Sequence, residues 1–175
     1  IYEKGQGVTI DINKAINYYS CSAELNNPDA MFRLGFIYEK SQYVARDIKT
    51  AIYYYNLAAK SEHPNAQFRL GYIYEKGIDV PRDIHRAIYY YQLAANHNCS
   101  GPQNNLGAIY FKGKDVPRDI EKAKRYYSLA AQKNIPSSLY NLGVMYEKKS
   151  SDQRNLRTAM NYYTLASDRN HPEAL

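Results

Sequence analysis

Tryptophan is absent from the 175 residues, cysteine occurs twice and phenylalanine four times. Two cysteines cannot build a disulfide framework. No apolar stretch approaches the ~20 residues a helix needs to cross a bilayer, so a membrane span is excluded. Neither end holds a run of like charge. A chain that is 45% hydrophobic and 23% charged is globular, without a disordered acidic or basic tail. Against these absences stand 20 tyrosines. An aromatic content so skewed to one residue type points to a short pattern copied many times.

The dipeptide Leu-Gly stands at Leu34-Gly35, Leu70-Gly71, Leu106-Gly107 and Leu142-Gly143, each step being 36 residues without a gap. The same step carries Ala15 to Ala51, Ala87, Ala123 and Ala159, and Tyr2 to Tyr38, Tyr74, Tyr110 and Tyr146. Tyrosine pairs follow it too, at Tyr18-Tyr19, Tyr54-Tyr55, Tyr90-Tyr91, Tyr126-Tyr127 and Tyr162-Tyr163. Residues 28–63, 64–99, 100–135 and 136–171 are complete copies, with partial ones at 1–27 and 172–175. The chain starts and stops inside a copy and lacks an initiator methionine. Solenoids close on units with a polar outer face. Residues 1–175 therefore read as one repeat solenoid cut from a longer protein.

Within one copy, Ala66, Leu70, Ile73 and Tyr74 share a face at about 100° per residue, which predicts an amphipathic helix, here called helix A. Gly71 at the edge of that face would admit the next helix closely; a glycine without that purpose costs a helix about 1 kcal/mol. Pro64 suits the first turn, where its missing N–H is no loss, and Pro28, Pro136 and Pro172 repeat the signal. After Lys76 comes a Gly-Ile-Asp-Val-Pro-Arg-Asp loop ending at Asp83, a natural N-cap. Asp11, Asp47 and Asp119 share its phase, and Asn155 stands in for it chemically. Helix B then presents Ile84, Ala87, Ile88, Tyr91, Ala94 and Ala95 along one stripe. It stops at Asn98, in register with Asn26, Asn134 and Asn170, asparagine being suited to a left-handed cap; Glu62 breaks that series. Two antiparallel helices of about 13 to 15 residues, roughly 20 Å long, result. Neither hides its apolar stripe alone. Stacked copies give an all-α, right-handed α-solenoid with a 36-residue period and concave and convex surfaces.

The stretch from Asn65 to Ala95, NAQFRLGYIYEKGIDVPRDIHRAIYYYQLAA, closely resembles the Sel-1-like repeat, a relative of the tetratricopeptide repeat, and the match covers nearly the whole chain. A tetratricopeptide unit shares the Leu-Gly, the helix A tyrosine and the helix B alanine but repeats at 34 with a shorter turn. Here the Gly-x-x-Val-Pro-x-Asp loop fills the extra length. The loop glycine of Gly5, Gly77 and Gly113 is replaced at Ser41 and Lys149, and the last copy runs Lys148 to Asn155 without Val-Pro, a looser connection. Cys21 and Cys99 fall at different phases, unlike the cysteine pair carried in each unit by some bacterial members. That favours a reducing compartment and a cytoplasmic location.

The resemblance implies that helix A lines the concave surface, so its core-averted positions are where a partner is read. These are Asn65, Phe68, Tyr72, Glu75 and Lys76 in the second complete copy. Phe32 and Phe36 precede them, followed by Asn104, Phe111 and Lys112, then Tyr140 and Lys148. Exposed aromatics make good interface anchors. The bland alternative packs the first aromatic of each pair on the preceding helix B. Lys4, Lys40, Lys76, Lys112 and Lys148 form a ladder with loop residues Arg46, Arg82, Arg118 and Arg154, suited either to an acidic peptide or simply to helix dipoles and solvent. Glu39, Glu75 and Glu147 offset the lysines. In helix B, Tyr55 and Tyr91 should be buried, Tyr54 and Tyr90 should flank them, and Tyr53 and Tyr89 should face water.

His63, His85, His97 and His171 form no zinc-like spacing, and no phosphate cradle or nucleophile elbow is present. No cofactor, metal or catalytic residue is therefore expected. The sequence supports a non-catalytic protein–protein interaction scaffold or adaptor that takes a peptide or protein partner, within a signalling or quality-control protein. An RNA-binding helical repeat is the alternative, prompted by a net charge of +6 and a pI near 9.1.

Overall fold

The computed structural model describes residues 2–3, 9–148 and 152–174. Among these the chain forms nine helices and no strand: α1 Ile12–Glu24, α2 Pro28–Lys40, α3 Ile48–Lys60, α4 Pro64–Lys76, α5 Ile84–Asn96, α6 Ser100–Lys112, α7 Ile120–Ala131, α8 Pro136–Lys148 and α9 Gln153–Ser167. The even-numbered helices are helix A of each copy and the odd-numbered ones helix B. The architecture is an all-α helical repeat. None of the helices in the described residues is long and apolar enough to cross a membrane. The residues divide into two compact units, Ile1–Ala94 and Ala95–Leu175. Lys4, Gly5 and Lys149, and the connection of the last copy at 149–151, lie outside the described residues.

Helix A starts where proline requires. Pro28, Pro64 and Pro136 each occupy the first helical position. In α2 and α4 the side chain before the proline closes free N–H groups: Asn27 Oδ1 accepts from Asp29 N at 3.0 Å and Ala30 N at 3.2 Å, and His63 Nδ1 accepts from Ala66 N at 3.2 Å. Pro172 lies in a turn instead.

The loop from helix A to helix B is tied at both ends. The backbone N–H of Asp11, Asp47, Asp83 and Asp119 donates to the carbonyl of Tyr2, Tyr38, Tyr74 and Tyr110 at 3.1, 2.9, 3.0 and 3.0 Å. Each carboxylate then accepts from a backbone N–H three residues on, of Lys14, Thr50, Arg86 and Lys122, at 2.9 to 3.1 Å. These bonds lead the causes that hold the Asp11 and Asp119 carboxyls below their ordinary pKa; at Asp47 the hydrogen bond from the Thr50 hydroxyl leads and the backbone bond comes second. The last copy corrects the sequence reading. Asp152, not Asn155, caps α9, accepting from Arg154 N at 3.0 Å, and Asn155 sits in the first helical turn. Without the Val-Pro block the helix extends back to the carboxylate, which meets free N–H groups more strongly than an amide does.

The turn after helix B corrects a second expectation. Asn26, Asn98, Asn134 and Asn170 are left-handed, with φ between 57° and 61°, and so is Glu62 at φ 58°. Glu62 therefore keeps the series in conformation although it breaks it in chemistry. Backbone bonds from Glu62 N to Ala59 O at 3.0 Å and from His63 N to Ala58 O at 3.1 Å hold it there. A glutamate in this region carries strain of about 1 to 2 kcal/mol that glycine avoids. Glu62→Gly is expected to raise stability by about 1 kcal/mol in urea unfolding, whereas Gly77→Ala, at φ 67°, lowers it by a similar amount. Equal midpoints for the two variants would contradict this account of the turns.

Candidate functional site

The repeated unit of packing is a glycine, a tyrosine and a glutamate. Gly35 lies under the ring of Tyr55 so closely that a Cβ there would sit 2.7 Å from a ring carbon; at Gly71 it would meet Tyr91 at 2.5 Å. Gly107 under Tyr127 and Gly143 under Tyr163 repeat the contact. The ring then carries its hydroxyl back to helix A. Tyr55 donates to Glu39, Tyr91 to Glu75 and Tyr163 to Glu147, each at 2.7 Å, as does Tyr19 to Glu3. Phe111 takes the glutamate phase in the third complete copy and meets Tyr127 edge-on at 6.4 Å. Burial, then the Glu3 hydrogen bond, pushes Tyr19 up to about 12. Burial first and the Glu39 charge second drive Tyr55 well above the tyrosine range, and burial alone raises Tyr127.

In residues 1–94 a second tie crosses between copies. Arg69 Nε donates to Glu39 Oε2 at 3.0 Å and its Nη2 to Oε1, while Arg33 approaches Glu3 at 3.9 Å. The Glu39 side chain is only 1% exposed, so its charge is buried and needs this partner. On the other side of the helix pair, ring stacks recur: Tyr38 on Tyr54, Tyr74 on Tyr90 and Tyr110 on Tyr126, each at 6.0 Å and nearly parallel.

The residues expected to face a partner fall into three groups. Phe32, Phe68 and Tyr140 are half-buried. They pack on helix B of their own copy, at 5.7 Å from Tyr55, 5.9 Å from Tyr91 and 5.5 Å from Tyr163. Phe32 and Tyr140 also stack on His63 and His171 at 4.7 and 4.5 Å. Glu75 is tied to Tyr91 and to Lys76 at 2.8 Å, and Asn104 accepts from Ser138 at 2.8 Å. The accessible group comprises Asn65 and Lys112, which are exposed, and Phe36 and Tyr72, which are partly so. Tyr72 lies beneath the Arg69 guanidinium and the Lys76 ammonium at 5.4 and 5.7 Å. Phe111 and Lys148 meet, with the ammonium 5.5 Å from the ring centre.

The loop arginines are less free than solvent alone would leave them. Arg82 Nε donates to Glu75 O at 2.9 Å and Arg118 Nε to Phe111 O at 3.1 Å, closing carbonyls in the last turn of helix A. Arg46 pairs with Asp79 at 3.0 Å, and Arg154 lies in α9. Tyr53 and Tyr89 face water as expected, at 59% and 57% exposure. The sequence reading missed Arg33 and Arg69, and also the buried Gln67 and Gln103, which donate to the carbonyls of Ala59 and Ala95 at 3.3 Å. The signal for the first set was present: an arginine two residues before the packed glycine and thirty residues after the preceding copy's glutamate, at Arg33 and again at Arg69.

The Sel1 repeat family model matches residues 1–27, 28–63, 64–99, 103–135 and 136–171. A Sel1 repeat protein from Oxalobacter formigenes is 32% identical over 99% of this chain and 71% of its own, with a TM-score of 0.85. The protective antigen c5321 of uropathogenic Escherichia coli, which displays an SLR fold, is 29% identical over 99% of this chain, with a TM-score of 0.92. The present chain spans 37% of that protein's length. Helicobacter pylori cysteine rich protein B is 25% identical over 74% of this chain and 92% of its own, with a TM-score of 0.58. No curated protein matches the sequence.

Two outcomes follow from the ties. Glu39→Gln leaves the Arg69 charge without its carboxylate and should cost about 3 kcal/mol in urea unfolding; adding Arg69→Met should recover most of it. A single-variant cost near zero would show the pair to be idle. A tyrosine whose folded pKa exceeds its ordinary 10.0 stays neutral in the fold while the unfolded chain ionises. Its contribution is complete below that pH and is lost as pH rises through the folded value. The urea midpoint should thus hold to about pH 10 and fall steeply towards pH 12, with the buried rings' share of the tyrosinate absorbance appearing together with unfolding. A flat midpoint through that window would contradict the buried-phenol account.

Proposed function

The chain belongs to the Sel1 repeat family, whose repeats generally mediate protein–protein interaction, and from that premise we propose that it is a non-catalytic scaffold receiving a peptide or protein partner on its helix A face. One observation carries the reading. The glycine and tyrosine that join the two helices recur in every complete copy, as Gly71 and Tyr91 do, while the outward positions of helix A differ from copy to copy. Phe36, Tyr72, Ala108 and Val144 share one such phase. A fixed frame with variable outward chemistry suits selective recognition along an extended surface. An adaptor role in signalling or quality control accords with it.

Nucleic acid fits less well. Lys40 and Lys76, rungs of the lysine ladder, lie 3.8 and 2.8 Å from Glu39 and Glu75, which removes much of the field a phosphate backbone would need.

The test is cross-linking affinity capture with the wild-type chain and with a Phe36→Ser, Tyr72→Ser variant of unchanged melting temperature. Saturable capture of a protein by the wild type, weakened about tenfold or more in the variant, is expected. Equal capture by both, or capture only of RNA with steeply salt-dependent affinity, would overturn the proposal.

A further inference from the structure

Residues 95–175 contain a groove that can be compared with its counterpart in residues 1–94. In the first unit a cavity of about 230 Å³ is lined by Glu3, Ile12, Ile37 and Lys40, among others. Three copies on, the same phases are held by Phe111, Ile120, Met145 and Lys148, which with Arg118 line a cavity of about 280 Å³. The groove is therefore a recurring feature of the repeat. What changes is its chemistry: the carboxylate of the first has become a phenyl ring in the second.

The consequence is electrostatic. Arg118 and Lys148 both lie over the Phe111 ring, at 5.4 and 5.5 Å from its centre. The bond from Arg118 Nε to Phe111 O fixes the guanidinium at the rim. In residues 1–94 three cations of these phases meet an acid: Lys40 meets Glu39, Lys76 meets Glu75 and Arg46 meets Asp79. Among the described residues no carboxylate pairs with Arg118 or Lys148. Of the nearby acids, Asp119 accepts from Lys122 N and pairs with its ammonium at 3.2 Å, and Glu147 accepts from Tyr163. The apolar wall is open as well. Ile120 is 37% exposed, whereas its counterparts Ile12, Ile48 and Ile84 are buried. Residues 95–175 carry twelve lysines and arginines against seven acids, so the wider field favours an anion.

We propose that this pocket binds an acidic residue of a protein partner, an Asp or Glu flanked by an apolar side chain. The carboxylate sits between Arg118 and Lys148, and the apolar neighbour lies against Phe111, Ile120 and Met145. Arginine offers a carboxylate a forked pair of donors, the lysine adds a point charge, and the ring keeps both cations in place. The proposal rests on the scaffold reading above and names the chemistry of one position on it.

Fluorescence anisotropy with a labelled alternating Glu-Leu octapeptide tests it on the full chain. Saturable binding is expected, weakened about tenfold or more by Phe111→Glu and by Lys148→Gln, and by replacing the probe with a Gln-Leu octapeptide. Phe111→Glu restores the side chain that the four other copies hold against their tyrosine, so its melting temperature should not fall; Lys148→Gln changes a solvent-facing group and guards against a folding artefact. Absence of saturable binding to the wild type, equal binding of the Gln-Leu probe, or indifference to both substitutions overturns the proposal. Tighter binding of a uridine oligonucleotide than of the Glu-Leu probe also overturns it. Loss of the pocket with capture at Phe36 and Tyr72 intact would leave the scaffold reading standing; loss of that capture would remove the reading itself.

Discussion

Everything in these repeats hangs on a tyrosine ring lying flat against a glycine. With ring carbons 2.5 to 2.7 Å from where a Cβ would be, helix B can approach helix A at that point only because the side chain is missing. The contact sets the distance between the two helices, and the hydroxyl, reaching a glutamate one turn further along, sets their rotation. Alanines at Ala51, Ala87 and Ala123, fully buried, let the remainder of helix B follow the approach. The cost of a glycine in mid-helix, about 1 kcal/mol, is offset by the burial of a whole tyrosine, which is worth several times more.

Much of this was legible from spacing alone. Three prolines and four aspartates placed the starts of seven helices because both residue types act within a single turn, on N–H groups their own chain positions supply. Gly71 announced close approach because no other reason for a mid-helix glycine fitted. What escaped the reading depends on residues brought together from different copies. Glu39 looked like a surface acid beside a lysine; its burial follows from Tyr55 and Arg69, sixteen and thirty residues away. Glu62 looked like an interruption, yet the backbone bonds on either side of it dictate the left-handed turn whatever the side chain. At Asp152 the cap moved because the loop before it lacks the proline block, a local feature whose effect on helix length was missed.

On the candidate surface the division is similar. The sequence picked out phases of helix A that vary from copy to copy, but it could not separate Phe32, Phe68 and Tyr140, which lean on their own helix B, from Phe36 and Tyr72, for which no such ring contact with helix B is seen among the described residues. It also treated Phe111 as one aromatic among several. Only alignment of the glutamate phase across copies, together with the groove it lines, shows that this phenylalanine replaces a charge and that, among the described residues, no carboxylate pairs with Arg118 or Lys148.

The central claim, that the ring of helix B occupies the space a side chain on helix A would take, has a direct test in a double-mutant cycle between Gly71 and Tyr91. In the wild-type background Gly71→Ala should destabilise by about 2 kcal/mol despite alanine's better helix propensity, because the added methyl overpacks against the ring. In a Tyr91→Ala background the same substitution should reverse sign and stabilise by up to about 1 kcal/mol, as it does in an ordinary helix. Stabilisation by Gly71→Ala in both backgrounds, with no coupling between the sites, would contradict the account.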